Sequence, residues 1–266
     1  MKSKIIATLF FLFSALFLFA DSLTLVKRID ARVSFFTTDH LGNFYLVTDS
    51  GLYKFDKDGN FLFSFTEKKI GVIHFVDATD PMKTLIYNKD FSSVTILDNK
   101  LSFNTEFNLR ELGLQQPLLI CTSRHDGYWI FDKQTNQLKK FNSALQPLFE
   151  SSDITQLINT DVSPLFLTES EKWIWMHNLS SGIMMFDAYG TYLRTVDTSQ
   201  TSAMISFQAE DDRIIFSEGN KLVEINPSKL TRKEISYPGL EDVSKMRIEQ
   251  NRLYVMKKGI FEIYSF

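Results

Sequence analysis

The chain reads as an all-β protein, a six-bladed β-propeller made of four-stranded antiparallel blades. A short phrase recurs six times: an apolar strand ending in a large hydrophobic residue, followed in five copies by Asp or Asn at a turn. The copies are Tyr53-Lys54-Phe55-Asp56, Thr95-Ile96-Leu97-Asp98, Lys139-Lys140-Phe141-Asn142, Met184-Met185-Phe186-Asp187, Val223-Glu224-Ile225-Asn226 and Phe261-Glu262-Ile263-Tyr264. Counted at the last residue of each, the intervals are 42, 44, 45, 39 and 38 residues, the period of one four-stranded blade. Turn signals divide each repeat further, and the end of the chain lacks one strand that its beginning supplies.

Residues 1–20 stand apart. Lys2 and Lys4 precede a run from Ile5 to Phe19 that is apolar but for Thr8 and Ser14, then Ala20 and Asp21-Ser22, the layout of a secretory signal peptide. The run is shorter than the roughly 20 residues a spanning helix needs. The expected organisation is therefore a signal segment over 1–20 and one propeller domain over 21–266, with no transmembrane span in the mature protein. Export places it in the periplasm or outside the cell. Losing Lys2 and Lys4 moves the net charge from −3 to −5, and the remaining charges alternate in sign. No basic phosphate-binding surface is expected, so nucleic acid is excluded as a partner.

The first blade is the clearest. Ser34 to Thr37 is its inner strand, Asp39-His40-Leu41-Gly42-Asn43 a turn and Phe44 to Thr48 the second strand. Asp49-Ser50-Gly51 turns into Leu52 to Phe55, and Asp56-Lys57-Asp58-Gly59-Asn60 into Phe61 to Phe65. Asp-x-x-Gly supplies a side-chain acceptor and a residue tolerant of positive φ. The second blade turns at Asp80-Pro81-Met82-Lys83 and Asn88 to Ser92, the third at His125-Asp126-Gly127 and Lys133 to Asn136. Blade four turns at Glu169 to Lys172, Ser180-Ser181-Gly182 and Asp187 to Gly190; blade five at Asp211-Asp212-Arg213, Glu218-Gly219-Asn220 and Asn226-Pro227-Ser228. Helical periodicity is limited to a turn or two near Phe107 to Leu112 and Asp153 to Leu157.

Blade six offers Met246 to Glu249, Arg252 to Met256 and Gly259 to Ser265, then stops at Phe266. Ser22 to Ile29 alternates like an outer strand, so the N-terminal strand is expected to complete the last blade and close the ring. Cys121, the one cysteine, lies in a strand and is expected to be a small buried hydrophobe. Trp129, Trp173 and Trp175 are expected to pack between blades rather than stack on a ligand.

The run Asp39-His40-Leu41-Gly42-Asn43-Phe44-Tyr45-Leu46-Val47, with Gly51-Leu52-Tyr53-Lys54-Phe55-Asp56 and Gly59-Asn60, resembles repeats of the six-bladed propellers of the NHL and TolB-like superfamily. The likeness spans residues 22–266 and rests on turn and packing motifs. It implies bacterial, exported relatives ranging from scaffolds and ligand binders to hydrolases.

In such propellers the working face collects the loops between second and third strands and the loops between blades. The candidate ligand-binding residues there are Asp49, Asp90, Asp132, His177 and Glu218. No nucleophile elbow or His-Glu-x-x-His spacing is present, and no catalytic residue is assigned. The reading is a protein-, peptide- or glycan-binding scaffold without a cofactor, its partner an envelope or extracellular molecule. The alternative is a metal-dependent hydrolase resembling the lactonase-like propellers, which implies calcium held by oxygens from several blades.

Overall fold

The structure, a computed structural model, describes residues 23–196, 204–210, 212–218, 221–236 and 242–266. The leader segment and the turn residues Asp211, Gly219 and Asn220 lie outside that set. Strand β1 (Thr24–Asp30) is followed by blade one, β2 (Phe35–Thr38), β3 (Phe44–Thr48), β4 (Gly51–Phe55) and β5 (Phe61–Phe65). Blade two is β6 (Phe75–Asp77), β7 (Lys83–Asn88), β8 (Ser93–Asp98) and β9 (Phe103–Asn108). Blade three is β10 (Pro117–Thr122), β11 (Tyr128–Asp132), β12 (Gln137–Phe141) and β13 (Pro147–Glu150). Blade four is β14 (Pro164–Glu169), β15 (Ile174–Asn178), β16 (Gly182–Phe186) and β17 (Tyr192–Val196). Blade five is β18 (Met204–Glu210), β19 (Arg213–Glu218), β20 (Lys221–Asn226) and β21 (Thr231–Ser236). Strands β22 (Val243–Glu249), β23 (Arg252–Lys257) and β24 (Ile260–Ser265) need a fourth partner, and β1 provides it in the order β1-β24-β23-β22. All six sheets are antiparallel and four-stranded. The expected ring closure is thus observed, with Thr24 opposite Ser265 and Ile29 opposite Phe261.

The six-fold phrase has a local physical cause. In five copies its last residue caps the turn between third and fourth strands: Asp56 accepts from the backbone N–H groups of Asp58 and Asn60, Asp98 from Lys100 and Ser102, Asp187 from Tyr189 and Thr191, Asn142 from Gln146, and Asn226 from Lys229. The same device, Asp39 to Leu41 and Asn43, shapes the first turn of blade one. A side chain that satisfies turn donors removes the cost of leaving them bare. The short helical turns Leu109–Leu112 and α1 (Ile154–Ile158) fall where expected, capped by Asn108 and Asp153.

Among the described residues, six apolar clusters are each shared by two neighbouring blades, around the full circle. Strand alternation decides which neighbour receives which side chain. Ile174 and Met176 face blade three, Trp175 faces blade five, and Trp129 and Cys121 lie buried between blades three and four. Phe36, Phe44, Tyr254 and Phe261 seal blade one to blade six. A strand buried on both sides reads as a continuous hydrophobic run, which is why the second strands stand out in the sequence.

Candidate functional site: the central channel and its mouth

The inner strands surround a channel with a cavity of about 60 Å³, lined by residues of blades one, two, four, five and six. In β22, Met246 and Ile248 pack toward blade five. Alternation turns Lys245, Arg247 and Glu249 into the channel lining instead. Phe35, Phe75, Phe166 and Phe207 also line it, with Phe35 and Phe75 edge-on at 5.6 Å and Phe166 and Phe207 stacked at 6.3 Å. Toward the turns that join first and second strands the lining becomes polar: Thr37, Asp77, Thr168, then His40, Thr79, Glu210 and Glu249.

Several of these groups stitch blades together. Asp77 accepts from Thr122 N–H and Oγ1, both at 2.7 Å, joining blades two and three. Glu169, buried, accepts from Arg124 N–H at 2.7 Å and Trp129 Nε1 at 3.3 Å, joining four to three. Gln208 exchanges both amide bonds with the Ile248 backbone, joining five to six. Arg247 donates from Nε to Thr38 Oγ1 at 3.1 Å and from Nη1 to Phe207 O at 3.3 Å.

One contact crosses the mouth. Arg124 Nη2 lies 2.7 Å from His40 Nε2, linking blade three to blade one past blade two. A guanidinium only donates, so Nε2 is the unprotonated acceptor. Burial, then the Arg124 charge, holds His40 below its ordinary pKa, consistent with that neutral ring. A second pocket of about 250 Å³, lined by His40, Thr79, Asp80, Pro81, Thr122, Ser123 and Arg124, adjoins the channel at His40 and Thr79. Glu249 is pushed up to about 7, chiefly by burial and then by Glu210.

The five residues named from the sequence lie on five different blades. Asp49 is exposed and lines a groove of about 520 Å³ with Thr66, Glu67 and Ile70. Asp90 is exposed, its nearest ion-pair candidate His74 at 3.7 Å. Asp132 is buried and accepts from Gln116 N–H at 3.0 Å, with Lys139 Nζ at 3.7 Å. Glu218 pairs with Arg232 at 3.0 Å. His177 is fully buried, with neither ring nitrogen bonded, and lies parallel to Phe166 at 5.9 Å. Burial pulls its pKa down to about 4. Among the described residues no three His, Cys, Asp or Glu side chains are placed to hold a metal ion.

The polar groups that do converge lie at the opposite mouth. Their sequence signal is the alternation Lys245-Met246-Arg247-Ile248-Glu249: charges at every second position of an inner strand have only the channel to face. Starting that strand at Met246 loses Lys245 from the pattern.

No family model matches the chain, and no curated protein matches it. Its likeness is to solved structures. Virginiamycin B lyase from Staphylococcus aureus superposes with a TM-score of 0.65 at 10% identity, covering 92% of this chain and all 100% of that one. A catalytically inactive form of the lyase with quinupristin gives 0.62 at 11%, covering 90% and 99%. The Pan2 WD40 domain of Neurospora crassa gives 0.62 at 8%, covering 91% and 95%. At such identities the likeness is one of fold. The chain is a six-bladed β-propeller.

Proposed function

We propose that this chain is an exported binding module of the NHL and TolB-like kind, a rigid ring that receives a charged segment of an envelope or extracellular protein, peptide or glycan at the polar mouth of its channel. The observation that carries the reading is the Arg124–His40 bridge over a pocket of about 250 Å³ continuous with the channel lining. Together the two spaces approach the lower end of ordinary ligand sites, roughly 300–1,000 Å³. The leader-like residues 1–20 support export. That the lyase of this fold holds quinupristin illustrates that such a ring accommodates a ligand.

Met82 stands 64% exposed on the rim of that mouth and Phe91 57% exposed in a second-to-third-strand turn of the same blade. A photo-crosslinker at Met82 is expected to capture a partner in intact cells and to lose it when Arg124→Glu is added. Capture from Phe91 alone, or capture from Met82 indifferent to Arg124→Glu, overturns the assignment.

A further inference from the structure

Lys245 is 6% exposed, yet its ammonium meets no carboxylate within ion-pair distance among the described residues; its Nζ sits 3.8 Å from the Phe35 ring centroid. Two residues on, Arg247 donates to neutral oxygens, Thr38 Oγ1 and Phe207 O. Residues i and i+2 of a strand point the same way about 6–7 Å apart, and both of these line the same cavity. The charges of Glu249, Glu210 and Asp77 act on Arg247, whereas Lys245 beside it has none acting on it, and a buried cation without a counter-ion is costly, several kcal/mol per ion.

The acids nearby act on Arg247 and leave Lys245 without a carboxylate partner among the described residues. Asp77 is occupied by Thr79 N–H, Thr122 N–H and Thr122 Oγ1. Glu210 pairs with Arg213 at 2.6 Å. Glu249 lies beyond Arg247 toward the mouth, and its charge acts on Arg247. His40 accepts from Arg124 and is itself neutral. Burial, then repulsion by Arg247, holds Lys245 well below the usual lysine range. The Phe35, Phe75, Phe166 and Phe207 rings keep this part of the channel apolar, and the hydroxyl-bearing Thr37 and Thr168 line the same space.

We infer that the channel is a binding site for one small oxyanion, the carboxylate or phosphate end of a ligand, held between Lys245 and Arg247. A cavity of about 60 Å³ takes about four water-sized occupants, the scale of acetate or inorganic phosphate. A compact anion would bridge the two cations and restore the charge on Lys245, and the cation-π contact already orients the ammonium. The inference rests on the mouth as the entry side and adds the chemistry that the entering segment carries.

The test titrates the purified full-length protein with acetate and, separately, inorganic phosphate in the millimolar range at constant ionic strength. Melting temperature is followed, together with the NMR signals of isotopically methylated lysines. A saturable rise in melting temperature and a saturable shift of the Lys245 signal are expected with at least one anion; acetate alone marks a carboxylate ligand, phosphate alone a phosphorylated one. Lys245→Met, which removes an unpaired buried charge, is expected to melt at or above the parent without anion and to bind at least about tenfold more weakly. Arg247→Met serves as the second variant with the same loss. A saturable rise in melting temperature that survives undiminished in Lys245→Met overturns the inference. So does the absence of any saturable effect with either anion, which would leave Lys245 a neutral core amine. A null titration with capture from Met82 intact removes the anion site alone; a positive titration without capture removes the partner reading alone.

Discussion

His177 and Glu249 set opposite pH limbs at the scale of single residues. His177 is neutral in the fold, its pKa near 4 against an ordinary 6.5. Below pH 6.5 the unfolded chain takes up a proton that the native chain refuses, so stability present above 6.5 is lost as pH falls toward 4. The full shift corresponds to about 3 kcal/mol. His177→Leu, similar in volume, is expected to abolish that limb: denaturant unfolding at pH 7 and pH 5 should differ less in the variant than in the parent. Glu249 works the other way. Its pKa of about 7 exceeds the ordinary 4.5, so its contribution is present below 4.5 and lost as pH rises through 7. Glu249→Gln is expected to gain about 1–2 kcal/mol at pH 8 and little at pH 5, read by the same unfolding curves. Neither histidine nor glutamate announces this in the sequence, because the shift comes from what packs around it.

Turns and closure govern the elements. Gly127 has φ +74°, and a Cβ there would lie 1.9 Å from Phe141 O; Gly113 has φ +80° with open space around it. Gly113→Ala is expected to cost about 1–2 kcal/mol, the left-handed penalty alone. Gly127→Ala must also move backbone and should cost clearly more, checked by paired thermal melts. Leu230 holds φ +54° while 80% exposed, so Leu230→Asn is expected to gain about 0.5–1 kcal/mol by relieving strain without losing packing. For β1, residues 24–30 supply the outer edge of the last blade. Deleting residues 22–29 should expose β24 as a free edge and lower the melting temperature sharply or cause aggregation; a normal melt would contradict the clasp. The turn chemistry of Asp56, Asp98 and Asp187 was legible because one side chain caps a turn by itself. The Leu230 strain was not, since a left-handed leucine carries no sequence mark.

Across the whole molecule, apolar clusters and polar stitches join every adjacent pair of blades: Lys54 Nζ to Asn99 O between one and two, Asp77 to Thr122 between two and three, Glu169 to Arg124 between three and four. Arg194 to Pro227 O follows between four and five, Gln208 to Ile248 between five and six, and Tyr254 Oη to Gly42 O closes six to one. A ring in which every blade leans on two others is expected to melt in one cooperative transition. Calcium in excess over chelator is expected to leave that transition unmoved, because among the described residues no three His, Cys, Asp or Glu side chains are placed together to hold a metal ion; a clear rise would restore the metal-dependent reading. The blade count, strand order, inter-blade tryptophans and clasp followed from the sequence, since period, alternation and turn chemistry act over a few residues and repeat. The meeting of polar groups at the channel mouth did not. Convergence on a channel joins single residues from Phe35 to Glu249, and no spacing records it. Only the closed ring decided that His40 meets Arg124 and that Lys245 and Arg247 face an enclosed space, because that encounter depends on how six separate strands tilt toward one axis.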